Sequence, residues 1–221
     1  LDRLAGLYPH YPVVQNLPRR FAFRESQSPP YAWDSGRWGW FHNEIPGDLI
    51  RAYDLVYHSE GFSDLSESRG YDVRARFEDD LLRPTFDATA AFEDYVMNAI
   101  GPGYGLSDSI LLGRVINEPR YVHWAYGWLK QILLKGFYVD GMWCEAPSYH
   151  YMTVGGLQGA FETIKGYTDP PGYVDPEDGS RYDAVDPASE LPFWSRVQTA
   201  PTVVAFPNGC TSPIHDTHAG E

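Results

Sequence analysis

The amino-acid sequence predicts an all-α fold, and three observations carry that reading. Apolar residues recur at i, i+3, i+4 and i+7 in several segments, Pro and Gly stand where such segments start and stop, and β-branched residues cluster in one short run, Thr202 to Phe206. With 221 residues, of which 43% are apolar and 15% aromatic, the chain is large enough to bury a core.

The first 45 residues carry neither a helical nor a strand period and are punctuated by Pro9, Pro12, Pro18 and the pair Pro29-Pro30, so they read as an irregular arm. From Pro46, which suits a first helical turn, Leu49, Ala52, Tyr53 and Val56 predict a helix over 46–58. The stretch from Tyr71 to Ile100 is rich in Ala, Leu, Phe and acids. Pro84 interrupts it and Gly101-Pro102-Gly103 stops it, which predicts two helices, 71–82 and 86–99. Ser107 caps a short helix over Ile110 to Val115. Asn117 caps the next, 118–134, whose apolar face is Tyr121, Trp124, Ala125, Trp128, Leu129, Ile132 and Leu133, closed by Gly136.

A further helix over 151–165 follows the Pro147 turn, with Gly166 past its end. The polar stretch that begins at Thr168 and runs to Asp183 is long enough to be a lid or a mobile excursion. A short helix over Ser189 to Gln198 then leads into the expected strand, Thr202 to Phe206, ended by Pro207-Asn208-Gly209. The organisation expected is an N-terminal arm (1–45), a helical body (46–200) and the start of a β region or lid (201–221), with no internal repeat.

Charge narrows the partners. Lys and Arg total 17 against 30 Asp and Glu, a net charge of −13, which removes the driving force for binding a phosphate backbone. The most apolar stretch, Leu129 to Phe137, is broken by Lys130 and Lys135 and is far short of the ~18 to 20 residues that span a bilayer. Cys144 and Cys210 lack CxxC spacing, so they can form at most one disulfide and leave the redox compartment open. The chain starts at Leu1 with no basic segment followed by an apolar one, which reads as a processed or truncated start. His215, Asp216, His218 and Glu221 are ligand types, but their spacing fits no helix-borne HExxH; a loop folding back over a cleft is expected there, with no metal or cofactor.

Two segments carry candidate chemistry. Tyr31 to His42 holds Trp33, Trp38, Trp40 and Phe41 among glycines, an aromatic density suited to stacking on sugar rings, with Trp38, Trp40 and His42 as the binding candidates. The second is Asp140-Gly-Met-Trp-Cys-Glu-Ala-Pro-Ser-Tyr-His-Tyr151, which sets a turn, two acids and a group of aromatic and imidazole side chains between two apolar helices. Asp140 and Glu145 are also the residue types of a glycoside hydrolase's acid and base.

The second segment resembles the signature of heparinase II/III-type and alginate-lyase-type polysaccharide lyases, in which an Asp-Gly, a Glu and then Pro-x-Tyr-His precede an inner helix of an α/α toroid. The close match spans Trp128 to Leu157, with a looser one at the Asn98 helix and at Ala52-Tyr53-Asp54-Leu55. The resemblance implies an incomplete α/α toroid that leads into a β-sandwich not contained in this chain. It implies a secreted or periplasmic lyase that cleaves an acidic polysaccharide by β-elimination at a uronate. Tyr149 would then be the proton donor or base, with His150 beside it. Asn98, 51 residues upstream, would neutralise the uronate carboxylate, while Trp143 and Glu145 contact substrate. These residue types suit the chemistry, because removing the C5 proton builds charge on the carboxylate and a donor there stabilises that charge most in the transition state. Only three lysines are present and the arginines are dispersed apart from Arg19-Arg20, so a sparsely charged, unsulfated uronate polymer fits better than a heavily sulfated one.

Overall fold

A computed structural model describes residues 1–7, 47–90 and 105–212. The all-α expectation holds: helices dominate, and among the described residues there is no strand, only an isolated antiparallel bridge between Phe137 and Trp143. Backbone contacts divide the chain into two compact units, Leu1–Glu93 and Asp94–Glu221.

In the first unit, α1 (Asp2–Leu7) is a helix inside the segment expected to be irregular; the rest of that arm, with Trp38, Trp40 and His42, lies outside the described residues. Next come α2 (Gly47–Val56) and α3 (Gly61–Arg69). The sequence period missed α3 because it buries no residue and so carries no apolar stripe. It stops at Gly70, whose φ of 75° suits the left-handed turn that ends a helix.

The expected break at Pro84 does not occur. The chain runs on through α4 (Val73–Phe77), a π-helical turn (Glu78–Leu82) and α5 (Arg83–Ala90). Proline cannot donate to the carbonyl four residues back and its ring presses on it. Here the wider turn, with the Arg83 N–H reaching the Glu78 carbonyl five residues back, relieves that crowding just before Pro84. Asp72 caps this run by accepting from the Ala75 N–H at 3.0 Å. Tyr53 is fully buried among Tyr57, Phe62 and Phe77, and its hydroxyl donates to Glu78. Asn98 and the remainder of the expected helix 86–99 lie outside the described residues.

The second unit is built on α6 (Leu106–Val115), α7 (Pro119–Lys135) and α8 (Pro147–Ile164). Gly105, not Ser107, precedes α6, and Pro119 opens α7 after Asn117, which takes φ of 55°. At Gly113 a Cβ would lie 2.8 Å from the Glu118 carbonyl oxygen and from Val122, so only glycine lets α6 and α7 approach this closely. Leu106, Ile110, Val122, Leu129, Ile132, Leu157 and Ile164 form the centre of one apolar core. Helix α8 begins at Pro147, four residues earlier than its apolar period suggests, which places Tyr149 and His150 in its first turn.

The expected strand over Thr202 to Phe206 is corrected. Thr202, Val203 and Val204 end helix α10 (Phe193–Val204), which follows the short α9 (Pro187–Glu190). The face buried by α10 is Trp194, Val197, Ala200 and Pro201, a helical spacing that places the β-branched residues on the outside, where Val203 is 80% exposed. Propensity yields here to the pattern of burial. Residues 213–221, including His215 and His218, lie outside the described residues.

Candidate functional site

The loop between α7 and α8 is fixed on both sides by glycines and backbone hydrogen bonds. A Cβ at Gly136 would lie 2.2 Å from the Trp143 ring, so the indole lies against the end of α7 where any side chain would stand. The Tyr138 N–H donates to the Met142 carbonyl at 2.9 Å, the Cys144 N–H to the Gly136 carbonyl at 3.0 Å, and the Asp140 carboxylate accepts from the Met142 N–H at 2.9 Å. Gly141, with φ of 95°, abuts α10: a Cβ there would lie 2.6 Å from the Arg196 carbonyl oxygen. Arg196 returns the contact by donating to the Val139 carbonyl at 2.9 Å.

His150 ties this loop to α10, and the reason is a proline. Pro201 has no N–H, so the Val197 carbonyl four residues earlier lacks its helical donor. The His150 Nε2 takes that place at 3.1 Å, while its Nδ1 accepts from the Trp143 N–H at 3.0 Å. These two bonds require the neutral ring with its proton on Nε2. The His150 imidazole is buried and both nitrogens are occupied by backbone, so it is a positioning residue that holds the loop, not a free proton carrier.

The other residues expected at the site separate into two groups. Trp143, expected as a substrate contact, is 7% exposed and packs edge-on against Phe137 in the core with ring centres 5.1 Å apart. Asp140 is engaged in its turn. Glu145 is exposed, with one carboxylate oxygen 3.4 Å from the Trp143 indole nitrogen, and Tyr151 is 52% exposed. Tyr149 is half-buried, its ring packed against the edge of the core. Cys144 and Cys210 are both free thiols. Burial pushes the Cys144 thiol up from its ordinary range, the opposite of an activated nucleophile.

A second polar cluster, which no spacing in the sequence announces, surrounds His123 on α7. Asp169, 46 residues away, holds His123 Nε2 with both carboxylate oxygens, at 3.0 and 2.9 Å. On the other side of the ring, Nδ1 faces Asp175 at 3.2 Å and the Ser180 hydroxyl at 3.3 Å. Tyr182 stacks on the imidazole with centroids 4.0 Å apart, and Tyr173 meets it edge-on at 5.3 Å. A serine, a histidine and an aspartate are thus in line, but Asp175 shares the Nδ1 face with Ser180, so that nitrogen does not stand open to the serine alone as a general base would. Burial, then Asp175, pushes the Tyr173 phenol up to about 12, and Tyr182 is raised further by burial and its acidic neighbours; both remain protonated at neutral pH. Among the described residues, no three His, Cys, Asp or Glu side chains are placed to hold a metal ion.

No family model, no curated protein and no solved structure matches the chain. Among the described residues, no helix is long and apolar enough to cross a membrane.

The hydrogen bonds of His150 give a pH prediction. Burial favours the neutral ring and lowers its pKa. The unfolded chain therefore binds a proton near pH ~6.5 before the folded one does, and stability that is complete above that pH is lost as the pH falls below it. Protonation would also turn the Nδ1 acceptor into a donor facing the Trp143 N–H. In thermal melts between neutral pH and mild acid, Tm of the wild type should fall more steeply than that of His150→Asn, which has no proton to gain. Equal slopes would show that His150 does not carry the acid sensitivity.

Proposed function

We propose that the chain is the toroid portion of a secreted or periplasmic polysaccharide lyase that cleaves a uronate-containing glycan by β-elimination. What carries the reading is Tyr149. It stands half-buried in the first turn of α8, directly after a loop fixed by Gly136, Gly141 and His150. The resemblance over Trp128 to Leu157 is what assigns the proton transfer to this residue.

In this reading the C5 proton of the uronate is removed, a double bond forms between C4 and C5, and the C4–O bond breaks with its oxygen taking a proton. Tyr149 takes part in that transfer as base or donor, since a phenol can play either part once positioned. Asn98 neutralises the uronate carboxylate, an oxyanion-type contribution. His150 acts through the loop it holds, and the exposed Glu145 and Tyr151 lie beside Tyr149 in sequence as substrate contacts, with Trp38, Trp40 and His42 as stacking groups. No cofactor enters. The acidic balance of the chain favours a polymer whose charge is limited to its carboxylates.

A screen of uronate polymers with the complete natural protein tests the proposal, because each elimination leaves an unsaturated uronate that absorbs in the ultraviolet. New absorbance with at least one polymer is the expected result; new reducing ends without absorbance would place the chemistry with a hydrolase.

A further inference from the structure

The segment from Thr168 to Ala184, between α8 and α9, has no regular secondary structure, and the side chains it buries are acidic. Asp169 is 2% and Asp175 7% exposed, whereas Val174 is 54% exposed. Its two ends are joined through buried Tyr167 and Val185 by backbone bonds, Val185 N–H to the Tyr167 carbonyl at 2.9 Å and Gly166 N–H to the Val185 carbonyl at 2.8 Å, and one apolar anchor lies within it, the half-buried Tyr182 packed on the edge of the core. Between the ends the segment is braced from within. The Tyr182 N–H donates to Asp169 at 2.6 Å, the Glu177 N–H to Asp175 at 2.8 Å, and Arg181 donates to the carbonyls of Pro170 and Tyr173 at 3.4 and 3.2 Å.

A segment with a stiff interior, a narrow neck and few attachments to the body, here the His123 contacts and the Tyr182 ring, has the properties of a local opening unit. Both of its buried carboxylates converge on one imidazole of α7. We propose that residues 168–184 form a strap that opens and closes as a unit about the Tyr167–Val185 neck, and that His123 is the clasp holding it shut. This inference does not depend on the lyase reading.

His123 closes the strap because its two ring nitrogens face two different carboxylates, so one side chain satisfies acids that lie six residues apart. The surrounding charges accentuate this. Asp178 adds to the acidity of the strap, and Lys130 of α7 sits 4.2 Å over the Tyr126 ring and 5.1 Å over that of Tyr182, while Glu190 accepts from the Tyr126 hydroxyl. Removing the imidazole takes from both buried carboxylates their one shared partner on α7 and leaves them only donors from the strap and its neck, which favours the open strap, where water completes their solvation. Opening bares the Tyr126 and Lys130 face of α7 without disturbing the packing of α7 on α6 and α8.

Amide hydrogen exchange on the whole chain tests this, with His123→Leu and Asp175→Asn as variants. His123→Leu should accelerate exchange of the strap amides, Asp169, Asp175 and Tyr182 among them, by ~10-fold to ~10³-fold, while amides of α8 keep their protection. Asp175→Asn, which retains the bond to Asp169, should accelerate the same amides by a smaller factor, and it decides the matter if His123→Leu does not fold. Trypsin cleavage after Arg181 should quicken in step with exchange. Unchanged strap amides in the folded variants would remove His123 as the clasp. Strap and α8 amides accelerating together would show that the strap does not open on its own.

Discussion

In the proposed lyase reaction, Tyr149→Phe should lower turnover on a cleavable uronate polymer by ~10² to 10⁴, the usual worth of a positioned acid or base. The substitution keeps the ring, which packs on the edge of the core beside α8, and deletes only the hydroxyl. Substrate affinity should shift little, because a proton-transferring group acts in the transition state more than in the bound ground state. A tyrosine with a structural role alone would keep normal kcat, and Tm would fall only as far as its hydroxyl is bonded within the fold. Steady-state kinetics with parallel melts on the complete protein separate the two, and near-normal turnover would remove Tyr149 from the mechanism.

Gly141→Ala destabilises the second unit by about 2 to 5 kcal/mol. A residue with a Cβ loses ~1 to 2 kcal/mol in the left-handed region that Gly141 occupies at φ of 95°, and forcing atoms into packed space adds ~1 to 3 kcal/mol. The obstacle is the Arg196 main chain, 2.6 Å from the position of the added carbon, and helical backbone cannot swing aside as the end of a long side chain can. Denaturant midpoints check the effect, and a loss below about 1 kcal/mol at Gly141 would mean that the loop is free to lift from α10. Because Tyr149 follows that loop, Gly141→Ala should also reduce turnover in the folded fraction.

Helix α7 was legible because its apolar period is long and its end carries Gly136, although Glu118, not the expected Asn117, stands at its N-cap. Helix α8 was legible in its body but not at its start, where Pro147, Ser148 and Tyr149 break the apolar stripe while still taking the helical turn. Two misreadings have one cause, the use of local preference where tertiary context decides. Pro84 is accommodated by the widened turn before it, and Thr202 to Val204 are carried as the outer face of a helix whose inner face is held by Trp194 and Val197.

At the candidate site, residue types singled out a loop without showing which of its side chains are committed to structure. Trp143 and His150 look reactive in the sequence, yet one fills the space above a glycine and the other answers the carbonyl that Pro201 leaves without a donor. That pairing links residues 47 apart and rests on the absence of an N–H, so no motif displays it. The His123 cluster was hidden for a similar reason: its partners lie in a loop whose acids look like solvated turn residues until the fold buries Asp169 and Asp175.

The most direct test of the lyase account is the fate of solvent oxygen during cleavage. With a uronate polymer that the complete protein degrades in ¹⁸O-labelled water, elimination predicts fragments that carry the unsaturated uronate, weigh one water less than hydrolysis products, and hold no solvent oxygen introduced at the broken linkage. Saturated fragments with one solvent oxygen for each bond cleaved would contradict the account and assign the reaction to hydrolysis.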